Sequence, residues 1–244
     1  MTAVDSVPLY ISIGFGITTV LSLYIFYKAS GGSKAFLLLV SSWMLLNGVL
    51  ATRGFYMVTG VLPPRFLLLL GPPLFLIAFL FSTKWGRAFI DGLKASYLTL
   101  LHVIRIPVEL VLFGLFLEGL IPELMTFDGR NMDILAGLTA IPVYYFTFVK
   151  KRVSKRLFLF WNIVSIVLLL NIIVHGILSA PSPFQQLAFE QPNVAVVQFP
   201  YVFLPGVIVP LVLFSHLALW RMLLKESKKR IYSSESSSFS GLPQ

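Results

Sequence analysis

The chain has 244 residues, 57% of them hydrophobic and only 12% charged, with a mean hydropathy of +0.87. Soluble domains carry about 25% charged residues, so this composition excludes one and indicates a helical membrane protein. The net charge of +9 does not point to nucleic acid, because the cations gather in alternate loops, and the lack of cysteine excludes disulfides, thiolate metal sites and a cysteine nucleophile.

In chain order, apolar runs predict spans near residues 8–27, 36–58, 66–82, 97–120, 134–149, 157–179 and 201–223. The expected fold is therefore all-α, a bundle of seven transmembrane helices occupying residues 1–224. The first run has no Lys or Arg before it and reads as a retained helix rather than a signal peptide. Small residues four apart, Ser12/Gly16 and Gly14/Thr18, predict that it packs closely on a neighbour. Between the third and fourth spans, Trp85, Phe89 and Leu93 recur every four residues opposite Lys84, Arg87, Asp91 and Lys94. That spacing predicts a short amphipathic helix over 83–96, lying in the membrane interface. The tail, 225–244, is basic and then Ser-rich, and is expected to be disordered, with its basic part against anionic lipid.

Loop charge sets the orientation. The 28–35, 83–96 and 150–156 loops together with Arg221 and the tail hold 15 Lys and Arg, and the opposite loops hold 3, Arg53, Arg65 and Arg130. Cations concentrate on the cytoplasmic side. The N-terminus is expected outside and the C-terminus in the cytoplasm, in a cell inner (plasma) membrane.

The fourth span carries His102, Arg105 and Glu109 within a stripe about 60° wide on a helix, with Pro107 among them. Entering from the cytoplasm, Arg105 lies about 12 Å deep and Glu109 about 18 Å, on either side of the midplane. A charge at that depth costs about 2.5–3.5 kcal/mol, so the stripe must face the bundle interior. Arg105 and Glu109, four residues apart, are expected to neutralise one another, and Pro107 to kink the helix. Asn162 and Ser165 in the sixth span and His216 in the seventh fall at similar depth. His102, Arg105, Glu109, Asn162 and His216 thus form the candidate intramembrane polar site; the bland alternative is a salt bridge that only fixes helix packing. At the outer face, Arg53 and Glu118 end the second and fourth spans and are expected to pair. In the loop that follows, Asp133 is expected to cap the fifth span, against the sharper reading of an acidic, cation-attracting vestibule with Glu123 and Asp128.

Several functions are disfavoured. No lysine lies in the seventh span for a Schiff base, and His175 sits at the outer side while His102 and His216 sit at the inner, so a three-histidine zinc site fails on depth. Haem held between two histidines has no supporting motif, and no G-x-S-x-G nucleophile motif occurs. No cofactor or metal is expected. The stretch from "RIPVELVL" through "LIPELMTFDGRNMDILAGLTA" resembles bacterial multi-pass membrane proteins of no assigned function. That resemblance implies a bacterial inner membrane and a seven-helix fold, and no activity. Transport of a small solute or ion along the Arg105 stripe is the leading expectation; a non-catalytic sensor or complex subunit and a membrane enzyme are the competitors.

The orientation has a direct test on this cysteine-free background. Ser154→Cys should resist an impermeant thiol reagent in intact cells and Ser182→Cys should react. The reverse pattern overturns the topology.

Overall fold

In a computed structural model the backbone of residues 3–239 is described, with side chains described up to Lys225. Every regular element among these residues is helical. Helix α1 spans Leu9–Ala29 and α2 Lys34–Thr52, the latter capped by Ser33, whose hydroxyl accepts from the Phe36 amide at 3.2 Å. Helix α3, Leu67–Ser82, turns through 92° into α4, Lys84–Asp91. Helices α5 (Ala95–Leu101) and α6 (Arg105–Leu117) are joined by a 3₁₀ turn, His102–Ile104. Helix α7, Asp133–Tyr144, ends in a π-turn, Tyr145–Val149; α8 is Lys155–Ser179; and a π-turn, Leu204–Ile208, leads into α9, Val209–Phe239.

Five helical segments are long and apolar enough to cross a membrane, and a sixth joins them if the bent α3–α4 pair counts as one span. Asp133–Val149 is apolar but shorter. Outward-facing side chains such as Leu9, Leu38, Phe75 and Phe160 are more than 60% exposed. Apolar surface on that scale belongs against lipid rather than water.

Helices α5, α6 and α9 form the centre, and half or more of the spans they build is buried, against 17% for α2. Helix α5 packs on α1, α7 and α9, α6 on α1 and α7, and α8 on α7 and α9. Helix α2 hangs on the edge. It is tied to the bundle by the Phe26–Phe36 ring contact at 4.4 Å and by Trp43 Nε1, which donates to the Gly206 carbonyl at 2.9 Å; Tyr56, in the turn that follows, donates back to Asn47 Oδ1 at 2.6 Å. The Trp43 bond has a clear cause. Pro210 has no N–H to offer the carbonyl four residues back, which is Gly206, and in hydrocarbon that carbonyl needs another donor.

Three sequence expectations change. The glycines of α1 do not make its close contact: nothing lies near a Cβ built at Gly14 or Gly16, while Thr18 is buried with Ile11, Phe15, Thr19, Ser22 and Phe26, and Ser12 hydrogen-bonds Tyr201 at 2.9 Å. The buried face follows the 3.6-residue period of the bulky positions, leaving the glycines between faces. Arg53 and Glu118 are both exposed and no ion pair joins them, because α6 packs against α1 and α7 while α2 lies on the periphery. The helix expected to stop near residue 225 runs on to Phe239, with no Gly or Pro between Pro210 and Gly241 to end it. Residues 240–244 of the tail, and its side chains from 226 on, lie outside the described residues.

The amphipathic α4 is anchored across one end of the bundle. Thr83 caps it by accepting from the Gly86 amide at 3.1 Å, and Arg87 donates to the Phe81 and Ser82 carbonyls at the end of α3, at 3.1 and 2.8 Å. Asp91 accepts from Arg221 at 2.9 and 3.1 Å and from Lys225 at 2.6 Å, and the Arg221 bond holds its carboxyl below the ordinary range. Gly86 makes the sharp corner possible, since a Cβ there would lie 2.5 Å from Leu80 Cα. Gly86→Ala should therefore destabilise by about 1–3 kcal/mol, roughly 2–4 °C of melting temperature per kcal/mol in detergent. Gly16→Ala, with open space around it, should leave the melting temperature unchanged or raise it.

Candidate functional site

The 3₁₀ turn and the first turn of α6 set Arg105 and Glu109 in the middle of a membrane-length helix. Pro107 is the third residue of α6, where an amide has no intrahelical acceptor in any case. It sits just after the 3₁₀ turn within the 95–117 segment, a single span of 23 residues. His102, Arg105, Glu109, Asn162 and His216 are all buried, and so are Asn131 and Asp133.

Arg105 is the hub. Its Nε donates to Asp133 Oδ2 at 2.6 Å and its Nη2 to Asp133 Oδ1, a two-pronged pair with both partners out of solvent. Nη2 also donates to the Ser165 carbonyl at 3.0 Å, and Nη1 lies 3.2 Å from His216 Nε2. A guanidinium only donates, so Nε2 is the acceptor and His216 carries its proton on Nδ1. That proton goes to Asn162 Oδ1 at 2.7 Å, and Asn162 Nδ2 donates back to the His216 carbonyl at 3.1 Å. Asn162 thus fixes both the ring and the backbone of His216. The ring of His102 stacks on that of His216 with centroids 3.8 Å apart, and meets Trp161 edge-on at 5.6 Å. Neither ring nitrogen of His102 has a hydrogen-bond partner. Two rings in face-to-face contact leave no room for a haem between them.

Glu109 does not pair with Arg105, contrary to the four-residue expectation. Its Oε1 accepts from Asn131 Nδ2 at 2.5 Å, and its Oε2 is buried without a partner. Asn131 gives its second amide hydrogen to the Met125 carbonyl at 3.0 Å, while its Oδ1 accepts from the Asp133 amide at 3.1 Å. A continuous chain of hydrogen bonds therefore runs from Asn162 through His216, Arg105, Asp133 and Asn131 to Glu109.

Asp133 and Asn131 are the residues that sequence reasoning misplaced. Asp133 is the first residue of α7 and does not cap it, since its carboxylate is committed to Arg105; the first amide of the helix goes instead to Asn131 Oδ1. The contact requires α7 to start inside the bundle, where Asp133 is buried. The 119–132 segment makes this possible by folding inward, with Leu120, Ile121, Met125, Thr126 and Asn131 buried, while Glu123 and Asp128 stay exposed. The acidic loop thus forms a plug rather than a vestibule, and it accounts for the shortness of the fifth apolar run. Close approach is also needed. Ala136, Gly137 and Ala140 are buried on the face of α7 that carries Asp133, and a Cβ at Gly137 would sit 2.8 Å from Ile106 Cγ1 and 3.0 Å from its amide nitrogen. The only cue in the sequence was the requirement that a buried arginine find an acid; spacing named Glu109 and not Asp133.

His175 and Asn171 sit apart from this network. His175 Nδ1 contacts the Asn171 carbonyl at 2.8 Å, and Asn171 donates to the Arg130 carbonyl at 2.9 Å. Among the described residues no three His, Asp or Glu side chains are grouped to hold a metal ion. The principal cavities, about 430, 240 and 70 Å³, are lined by other residues.

Residues 62–224, more than half of the chain and all of the network, match the domain of unknown function DUF8737. No curated protein and no solved structure matches the chain.

Removing one partner of a buried ion pair leaves an uncompensated charge, at a cost of about 3–5 kcal/mol. Arg105→Leu and Asp133→Leu should each destabilise on that scale, and the double variant should recover much of the loss. The same cycle between Arg105 and Glu109 should show weak coupling, because Asp133 and Asn131 intervene. Thermal melts in detergent measure both; strong Arg105–Glu109 coupling with none to Asp133 would overturn this assignment.

Proposed function

We propose that this chain, which belongs to the DUF8737 family, is a seven-helix protein of a cell inner membrane, N-terminus outside, that passes a small ion or solute through a gated polar centre. The observation that carries this reading is the 3₁₀ turn at His102–Ile104 inside the 95–117 span, directly beside a buried ionised network. Departures from regular α-helix beside the polar groups of a span are a recurring feature of transporter sites. Irregular backbone at that depth is tolerated where it lines a cavity or is buried in protein. The π-turns at the end of α7 and the start of α9 put similar irregularity on two more of the helices that hold the network. Helices α3 and α7 count as the third and fifth spans here. Each is short, and α7 is completed at its outer end by the buried 119–132 segment.

The network also offers the means of gating. Arg105 holds Asp133, and Glu109 stands one helical turn along with one carboxylate oxygen unpartnered. A guanidinium moving from Asp133 to Glu109 exchanges one anion for another without being left unpaired, and releases α7 from α6. Two discrete arrangements of one cation between two acids make a bistable element that an arriving ion, proton or polar solute can bias. Two residues of this centre carry buried polar atoms without a partner: His102, stacked on His216, and Glu109, at the far end of the hydrogen-bonded chain. A buried polar atom without a partner costs about 1–3 kcal/mol, so both residues favour the approach of water or a polar ligand.

A second reading, a non-transporting sensor or complex subunit, is favoured by how tightly the centre is enclosed: His102, Arg105, Glu109, Asp133 and His216 are all buried by surrounding protein. Thiol access separates the two. Glu109→Cys and His102→Cys should react with a small water-soluble reagent several-fold faster than Leu170→Cys, whose native side chain faces outward on α8. Rates equal to that control at both positions would mean that water never enters, and the transport reading gives way to the packed module.

A further inference from the structure

On the side of α9 away from His216, a cavity of about 430 Å³ lies between α2, α3, α4 and α9. Its walls are Phe36, Val40, Pro73, Ile77, Val207 and Phe214 among others, and hardly a polar atom faces it. Water and ions gain nothing there, and an apolar void of this size forfeits packing unless something apolar fills it. Leu39 and Leu76, on α2 and α3, line it and are also exposed, so it opens sideways between those helices toward lipid. Its volume falls in the range of ligand sites.

Part of the lining differs in character. Ser33, Ala35 and Trp85 belong to it. Lys34 lies between the first two and Lys84 precedes the third, each the first residue of its helix, α2 and α4. Both lysines are exposed and neither has an acidic partner among the described residues. Trp85 is 70% exposed and stacks on Phe89, the placement of an aromatic residue at headgroup level. An apolar cavity whose lining includes the chain neighbours of two exposed lysines, together with an exposed tryptophan, is complementary to one kind of molecule, an apolar chain carrying an anionic head.

We propose that this cavity is a binding site for one acyl chain of an anionic glycerophospholipid, its phosphate held at Lys34 and Lys84. The site rests on the membrane-spanning part of the functional reading and not on transport through the polar centre. In it, the chain takes the place of protein packing that α2 lacks, so the lipid fastens α2 and α4 to α9. Annular lipid that merely coats the bundle would show neither headgroup preference nor a dependence on these residues.

The purified protein in detergent is titrated with dioleoyl phosphatidylglycerol, dioleoyl phosphatidylcholine or glycerol phosphate, reading melting temperature and lipids retained in native mass spectra. Phosphatidylglycerol should raise the melting temperature by about 4 °C or more, with one lipid retained, and phosphatidylcholine by much less. Glycerol phosphate, a head without a chain, should do nothing. Lys34→Gln/Lys84→Gln, changed at exposed positions, should bring the phosphatidylglycerol shift down to the phosphatidylcholine value. Ala35→Trp and Leu39→Trp, which fill the cavity from exposed positions, should abolish the retained lipid while the apo protein still melts cooperatively. Equal shifts for the two lipids, an undiminished shift in the filled variants, or an effect of glycerol phosphate alone would each overturn the proposal. So would a change of oligomeric mass in the filled variants, which would make the occupant a second copy of this chain. A dry polar centre in the thiol experiment leaves all of these outcomes unchanged, so the two ideas fail separately.

Discussion

A guanidinium that cannot give up its proton, held near the middle of a membrane protein, is the constraint around which this fold is arranged. Arg105 needs an anion and further acceptors, and they come from three other helices: Asp133 at the start of α7, the Ser165 carbonyl of α8 and His216 of α9. Each demand propagates. Asp133 reaches Arg105 only if α7 begins inside the bundle, so residues 119–132 fold inward to cover it. It reaches closely enough only if the facing side chains are small, which is the role of Ala136, Gly137 and Ala140. His216 can accept from Arg105 only as the Nδ1-protonated tautomer, and Asn162 selects that tautomer.

Such a centre stabilises less than its bond count suggests. Desolvating a cation and a carboxylate costs several kcal/mol per ion, and their attraction offsets that only with good geometry and complete hydrogen bonding. The geometry here is good around Arg105 and incomplete at His102 and Glu109. What the network supplies is specificity of arrangement: each bond Arg105 makes to α7, α8 and α9 restricts how those helices can sit against α6, so continuous sliding of one against another is penalised.

The opposite side of α9 follows different physics. There the helices meet through aromatic contacts, Phe26 with Phe36 at 4.4 Å and with Phe214 at 5.7 Å, and through the Trp43 bond to the backbone. Van der Waals contact is non-directional, so nothing compels α2 to close on the bundle, and a cavity remains. The molecule thus divides into a tightly specified polar half and a loosely packed apolar half, with α9 shared between them. A shift of α9 is felt on both sides.

Composition alone determined the class of molecule, because hydrocarbon tolerates only chains whose backbone bonds are closed within helices or barrels. The approximate places of the apolar runs and of the amphipathic α4 were equally legible, since both depend on local period and length. The stripe of His102, Arg105 and Glu109 was visible as a set that could not face lipid. Which partner each residue takes was not. Helical spacing favoured Glu109 for Arg105 because four residues make neighbours on any straight helix, whereas the 3₁₀ turn and the inward 119–132 segment present Asp133 from another helix. The expected Arg53–Glu118 pair failed for the same reason, as no local rule states that α2 lies at the periphery while α6 meets α1 and α7. Burial and pairing between helices are properties of three-dimensional packing, and a one-dimensional period carries the face of a helix but not the identity of what that face meets.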